Sequence, residues 1–173
     1  MPLLLLRVSA YYFDITLMST YIGFMRDNLP LSVTHEVRDR CLCLHAQRAA
    51  RSLARRFDEA LRPLNLKQGQ FSLLISLNRP EPPRISDVAY LLAMDRTTLT
   101  ANLKPLEKRG LLSVTKDPAD KRKRRLTLTE AGLDLLALAL PIWRETHDQV
   151  DEVMSGSSLN DLKEDLVALA FKI

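Results

Sequence analysis

The chain has 173 residues, of which 46% are hydrophobic and 27% charged, and 25 basic against 21 acidic side chains give a net charge of +4. This size fits one domain with a short appended segment, and the composition excludes a chain disordered throughout and a collagen-like fibre. Only five glycines occur, which favours a mostly helical protein. Cys41 and Cys43 are too close in sequence for an ordinary disulfide, so we expect a reduced, cytoplasmic protein.

Residues 1–33 form an N-terminal extension whose composition differs from that of the rest. The apolar run Leu3–Leu6 precedes Arg7, whereas a signal peptide carries its charge before its apolar run. Further charged residues interrupt the segment, so we expect no membrane span. Three interpretations stay open: a poorly ordered extension, a small helix packed on a partner, or a start codon upstream of the true first residue, which would then be Met18 or Met25.

Two helices are predicted in the first half of the chain. From Thr34 to Leu64 the apolar residues recur at helical spacing and arginines fill the other faces, which indicates one long amphipathic helix. Residues 66–78 form a shorter and more apolar helix. The three prolines of the following RPEPPR prevent its continuation, because proline lacks a backbone donor and fixes φ.

A helix-turn-helix is predicted next. Ser86 is the expected N-cap of a short helix, and Asp95 is the expected N-cap of a second helix that stops at Gly110. The apolar positions of the second helix have the spacing i, i+4 and i+7 and must face the core: Leu99, Leu103 and Leu106. The opposite face carries hydroxyls and cations suited to base edges and phosphates, and its candidate DNA contacts are Arg96, Thr97, Thr98, Thr100, Ala101 and Lys104.

A basic hairpin follows the helix-turn-helix. Residues 111–116 and 124–128 show β-type alternation and are joined by DPADKRK. From Lys116 to Arg125, six basic and two acidic side chains give a local charge of +4. A helix-turn-helix with such a hairpin is a winged helix, whose tip can reach the minor groove or the phosphates beside the major-groove helix. The candidate wing contacts are Lys121, Arg122, Lys123 and Arg124.

Two helices close the chain. Thr129 caps a long helix from Glu130 to about Met154, and Ser158 opens a last helix that runs to Phe171. Their apolar stripes exceed what one small domain needs at its end, which predicts burial against a partner. The predicted fold is therefore mainly α with a small β-hairpin wing, an α+β winged helix-turn-helix, with a helical dimerisation region formed by the N- and C-terminal helices.

Three segments resemble the MarR family of winged-helix transcriptional regulators. MDRTTLTANLKPLEKRGLL resembles the recognition helix of the family, DPADKRKRRLTLTEAG resembles its wing and the start of its fifth helix, and ALRPLNLKQGQFSLLISL resembles its first helical junction. The resemblance covers about residues 37–171, and we predict a single domain over residues 34–173, with the winged helix at about 66–128 and dimerisation helices at about 34–64 and 130–171. It also implies a homodimer that represses or activates at a palindromic DNA operator, with Asp120 positioning Arg122 for the minor groove.

We expect the protein to act as a repressor that a small aromatic ligand releases from DNA. Such a ligand would bind between the dimerisation helices and the winged helix. The residues expected to line an apolar pocket there are Phe57, Phe71 and Trp143.

Oxidant sensing through Cys43 is the alternative. Cys43 lies where the peroxide-sensing branch of the family carries its reactive cysteine, and cations such as Arg38 or Arg40 could favour its thiolate. That branch places tyrosines four and fourteen residues later, where this chain has Gln47 and Phe57. A buried, unreactive cysteine is the more common situation.

Enzyme activity is not predicted. The three histidines are scattered, and neither a catalytic motif nor a glycine-rich phosphate loop occurs. A metal site built from Cys41, Cys43 and His45 would lack a fourth ligand, and its members would point around a helix rather than to one point. We therefore expect no cofactor and no metal. A winged helix used only for protein contacts is a further class, against which the cationic wing argues.

Overall fold

A computed structural model of the protein describes residues 29–154 and 158–171, together with Met18, Ile22 and Arg26. The chain divides into two units, residues 1–49 and residues 50–173. The interpretations of the N-terminal extension fall mostly outside the described residues. Within the described ranges, no helix has the length and apolar character that a membrane crossing requires.

The first two helices differ from the sequence prediction. Helix α1 spans Leu31–Arg40 and helix α2 spans Leu42–Ala60, so the single helix predicted from Thr34 to Leu64 is wrong. Between them Cys41 has extended backbone geometry (ψ 99°), and its thiol accepts a hydrogen bond from the backbone N–H of Leu44 at 3.4 Å. The apolar spacing continues through Cys41 and so does not mark this break. Capping preferences do not mark it either, because cysteine is not among the usual N-caps.

The helix-turn-helix lies in the second unit and is confirmed. A 3-10 turn at Arg62–Leu64 leads to the three winged-helix helices, which are α3 (Gln68–Ser76), α4 (Ile85–Leu91) and α5 (Arg96–Lys108). Asp95 caps α5 as predicted, since its carboxylate accepts from the Thr98 N–H at 2.8 Å. The predicted cap at Ser86 is wrong, because α4 begins at Ile85, two residues earlier than a cap at Ser86 would allow. Arg84 is the N-cap, and its N–H donates to the Asp87 carboxylate at 3.2 Å.

The hairpin is also confirmed, and a further segment joins it. Strands β1 (Leu112–Lys116) and β2 (Arg124–Leu128) pair antiparallel. On the other edge of β2, the Leu126 N–H donates to the Pro83 carbonyl at 3.0 Å, and Arg84 forms an isolated bridge with Arg125. The residues just before α4 therefore extend the small sheet, which the three local prolines gave no reason to expect.

Both C-terminal helices begin at the predicted caps. Helix α6 spans Glu130–Val153, and Thr129 Oγ1 accepts from the Gly132 N–H at 3.1 Å. Helix α7 spans Leu159–Phe171, and Ser158 Oγ accepts from the Asp161 N–H at 3.2 Å. Because both caps act within one turn of the helix, short-range sequence patterns were sufficient to locate them.

Most of the core lies in the winged helix, α6 adds Leu136 and Ala139, and no residue of α7 belongs to the buried cluster. The buried cluster draws on α3, α4, α5, α6 and the hairpin, and it includes Phe71, Leu74, Val88, Leu99, Leu103, Leu106, Leu126 and Leu136. The three leucines predicted for the inner face of α5 are thus buried. In α7 no residue is buried, and large apolar side chains are exposed: Leu162, Leu166, Val167, Leu169 and Phe171.

Candidate nucleic-acid interface

The outward face of α5 is fixed by the burial of its inner leucines. Leu99 and Leu106 are completely inaccessible, so the helix cannot rotate without losing core contacts. All of the predicted contact residues on this helix are exposed: Arg96, Thr97, Thr98, Thr100, Ala101 and Lys104. The helix therefore presents a surface that is cationic at both ends and has short side chains between them.

Two of the exposed hydroxyls on α5 already donate hydrogen bonds within the helix. Thr98 Oγ1 donates to the Asp95 carboxylate at 2.5 Å, and Thr100 Oγ1 donates to the Arg96 carbonyl at 2.7 Å. The bonds from Thr98 lower the pKa of Asp95, which keeps this N-cap ionised. In these geometries Thr98 and Thr100 present acceptor lone pairs to a ligand, whereas Arg96 and Lys104 present donors.

The wing tip, residues 120–123, is a cluster of cations arranged around one carboxylate. Asp120 Oδ1 accepts from the Arg122 N–H at 3.1 Å and lies 3.4 Å from Arg122 Nε, and Asp120 Oδ2 lies 3.7 Å from Lys123 Nζ. The Arg122 side chain is 93% exposed. Arg124 Nη1 folds back to the Lys121 carbonyl at 2.9 Å. The structure thus brings together Asp120 and Arg122, the pair singled out in the sequence.

Behind the tip lies a second carboxylate site, the wing neck, which we define as Arg84, Asp117 and Arg125. Asp117 is completely buried. Its Oδ2 accepts from Arg84 Nε at 2.9 Å and from Arg125 Nε at 3.1 Å, while its Oδ1 accepts from the Ala119 N–H at 2.8 Å. These bonds, that from Arg84 most strongly, lower the pKa of Asp117 to about 2.

Sequence reasoning missed the wing neck. The only local signal is an aspartate followed by proline at the start of a loop, which indicates a turn in which the carboxylate accepts from the backbone two residues on. That turn is present between Asp117 and Ala119. Burial, however, depends on Arg84, which lies 33 residues earlier in the chain.

The three aromatic residues predicted to line a ligand pocket lie in one cluster, which His147 joins. The Phe71 and Trp143 rings stack with centroids 6.0 Å apart, and His147 lies 4.9 Å from Trp143 and 6.3 Å from Phe57. Phe57 and Phe71 are buried, and Trp143 is partly buried. The assignment of a ligand to these residues stays a prediction.

A cavity of about 590 Å³ lies away from the aromatic cluster, at the end of α2 and the start of α3. Its lining includes both acids and cations, the latter being Arg55, Arg62, Lys67 and Arg109. Arg62 is paired with Glu59 at 2.9 Å, and Arg109 donates to the Asn65 carbonyl at 2.8 Å. Its polar lining differs from the apolar pocket that the sequence predicted.

Cys43 is exposed, and its sulfur accepts a hydrogen bond from Gln47 Nε2 at 3.3 Å. The two arginines expected to favour its thiolate are paired with carboxylates. Arg38 lies 2.6 Å from Asp39, and Arg40 lies 2.5 Å from Glu36. Exposure favours reactivity, whereas these ion pairs reduce the positive charge available to a thiolate. Oxidant sensing stays a prediction.

The family model, the relatives and the solved structures that this chain resembles are those of transcriptional regulators. The sequence model of the MarR family matches residues 66–123, a range that contains α5 and the wing tip. The transcriptional repressor NicR of Pseudomonas putida is 32% identical over 133 residues, which are 76% of this chain and 77% of that protein. The M. tuberculosis transcriptional regulator MOSR, solved in complex with DNA, is 34% identical, with 76% of this chain and 94% of that chain covered and a TM-score of 0.67. NadR, solved in complex with 4-hydroxyphenylacetate, is 27% identical, with 74% and 91% covered and a TM-score of 0.62.

Proposed function

Because this chain belongs to the MarR family of transcriptional regulators, we propose that it binds duplex DNA as a homodimer and represses transcription. Each subunit inserts α5 into the major groove and lays the wing tip against the adjacent minor groove. The observation that carries this proposal is the placement of two exposed cationic surfaces, on α5 and at the wing tip, on one buried core.

The DNA contacts proposed for α5 are base edges and phosphates, and those for the wing are minor-groove edges and phosphates. The side chains on α5 are Arg96, Thr97, Thr98, Thr100, Ala101 and Lys104, and those of the wing are Lys121, Arg122, Lys123 and Arg124. Support comes from the exposure of the α5 residues and of the wing-tip lysines and arginine. Asp120 acts by positioning Arg122, whose Nε lies 3.4 Å from its carboxylate.

The domain organisation that we propose is a winged helix at about 66–128 and dimerisation helices at about 34–64 and 130–171. The exposed apolar side chains of α7 support a partner at that helix. A two-fold dimer carries one recognition helix per subunit, so the operator should be palindromic, with half-sites about one helical turn apart. Action on genomic DNA would place the protein in the cytoplasm, and no catalytic role is part of this proposal.

The first test is a titration of the native protein with a palindromic and a scrambled duplex at physiological salt. We expect a dimer by light scattering and a clear preference for the palindrome. Lys104→Ala should weaken binding about tenfold or more, because it removes a contact in the groove. Lys67→Ala, which removes the same charge from the exposed start of α3, is the matched control and should bind like the native protein. A monomer, or equal affinity for both duplexes, would contradict the proposal.

Release by a small aromatic ligand is the regulation that we propose, supported by the aromatic cluster and by NadR, solved with 4-hydroxyphenylacetate. Trp143 is the single tryptophan of the chain, so its fluorescence reports on this cluster. We expect 4-hydroxyphenylacetate or a related aromatic acid to change Trp143 emission over the same concentrations that release DNA. Phe71→Leu should weaken both effects. Release without a change in emission would place the ligand elsewhere.

Oxidation is tested with the same DNA assay, and the exposed Cys43 thiol motivates the test. If Cys43 senses oxidant, organic peroxide should release the native protein and leave Cys43→Ser bound, and a reductant should reverse the effect. Equal responses of the two proteins would exclude this alternative.

A further inference from the structure

The two arginines of the wing neck bind the same carboxylate oxygen but differ in what else they contact. Arg125 is 28% exposed and is held on a second side, because its Nη1 donates to the Pro82 carbonyl at 2.8 Å. Arg84 is 38% exposed and uses only its Nε for Asp117. Its terminal Nη groups make no hydrogen bond to any residue that the structure describes. Arg84 therefore has free donors in a fixed position.

The position of Arg84 connects the two elements that the proposed function places on DNA. It is the N-cap of α4, the first helix of the helix-turn-helix, and it bridges to β2 of the wing through Arg125. The pKa of Arg84 is raised, chiefly by its hydrogen bond to Asp117, and the Asp120 carboxylate of the wing tip makes a small contribution. We expect a duplex that contacts both α5 and the wing tip to pass its phosphate backbone near this junction.

An arginine whose Nε is already bound to a carboxylate is well suited to bind a phosphate with its Nη groups. Guanidinium has five donors in a rigid fork, so Nε can bind a carboxylate while the Nη groups bind a phosphate oxygen. Fixing the side chain in advance reduces the conformational entropy that binding would otherwise cost.

We propose that Arg84 is a phosphate-binding residue of the DNA interface and that Asp117 is its positioning residue. This inference rests on the proposed function. It assigns the two neck arginines different roles: Arg84 contacts DNA, whereas Arg125 fastens the wing to the segment before α4.

The test is the salt dependence of operator affinity, measured together with thermal unfolding for each variant. One phosphate contact per subunit contributes about 0.9 to the slope of log affinity against log salt, so Arg84→Gln should reduce the slope by about 1.8 for a dimer. Arg125→Gln removes the same charge and should lower the melting temperature while keeping the native slope. Arg62→Gln, which removes an exposed, ion-paired arginine on the 3-10 turn, is the control if Arg125→Gln does not fold.

Asp117→Asn separates positioning from simple electrostatics. Removal of a negative charge near DNA would by itself tighten binding and steepen the salt dependence. Positioning predicts the opposite, namely weaker binding with a slope reduced as in Arg84→Gln. Tighter binding by Asp117→Asn, or a slope change in Arg84→Gln no larger than in Arg62→Gln, would overturn the inference. A native protein without specific operator binding would overturn the proposed function as well, so the two failures are distinguishable.

Discussion

The wing contains two aspartates three residues apart, and burial gives them different roles. Asp117 is completely buried and receives three hydrogen bonds, two of them from arginines. Asp120 is 28% exposed and faces Arg122, which is almost entirely exposed, at 3.4 Å. An exposed ion pair contributes little to stability, whereas one partner removed from a buried pair leaves an uncompensated charge. The neck therefore secures the fold, and the tip prepares a side chain for binding.

The base of the wing, where β1 and β2 meet α6, gives the largest expected effect on stability. A Cβ added at Gly132 would lie 2.1 Å from the Leu111 carbonyl oxygen, so the backbone would have to move. We expect Gly132→Ala to lower the free energy of unfolding by about 3 kcal/mol. Gly69→Ala in α3 is the matched control, because nothing lies within 4 Å of its Cβ, and chemical denaturation measures both. Equal stability of the two variants would contradict this account of the base.

The wing neck gives the second-largest expected effect on stability. Asp117→Asn should lower the melting temperature by several degrees, because Arg84 and Arg125 would lose their shared anion. Asp120→Asn should leave the melting temperature nearly unchanged, since its partners are exposed. Thermal unfolding of the two variants under one condition makes the comparison. If Asp120→Asn proves the more damaging variant, the assignment of structural and binding roles must be reversed.

Substitutions at the wing tip should change DNA affinity rather than stability. Arg122→Ala should cost about 1 to 3 kcal/mol of binding free energy, and Asp120→Ala should cost less. The double variant should resemble Arg122→Ala, because Asp120 acts through that arginine. Titration of all four proteins at one salt concentration completes the cycle. Fully additive losses, or tighter binding by Asp120→Ala, would show that the tip is only a diffuse cationic patch.

The smallest expected effect is the acid dependence of the neck. The pKa of Asp117 is lowered to about 2 from an ordinary value of 3.8, so the unfolded chain binds the proton more readily. The stabilisation is therefore complete above about pH 5 and is lost as the pH falls from about 4 towards 2. The difference in melting temperature between native protein and Asp117→Asn should be constant above pH 5 and should shrink below it. A constant difference down to pH 2 would refute the lowered pKa.

Much of the fold follows from signals that act within one or two helical turns. The spacing of Leu99, Leu103 and Leu106 predicts the inner face of α5, and Asp95 and Thr129 predict where α5 and α6 begin. The cations of the wing tip are visible directly in the sequence. Where no local signal marks a break the prediction fails, as at Cys41, whose thiol accepts a hydrogen bond from the Leu44 N–H at the start of α2.

The sequence by itself determined the helix-turn-helix, the hairpin and the cationic surfaces, because periodicity, capping and charge are local properties. Only the tertiary structure decided which charges are buried. Asp117 and Asp120 look alike in DPADKRK, and what separates them is the approach of Arg84 from 33 residues earlier along the edge of β2. Likewise, position 132 requires glycine because a Cβ there would collide with the Leu111 carbonyl, which precedes β1. Burial depends on such distant contacts, which no local pattern specifies.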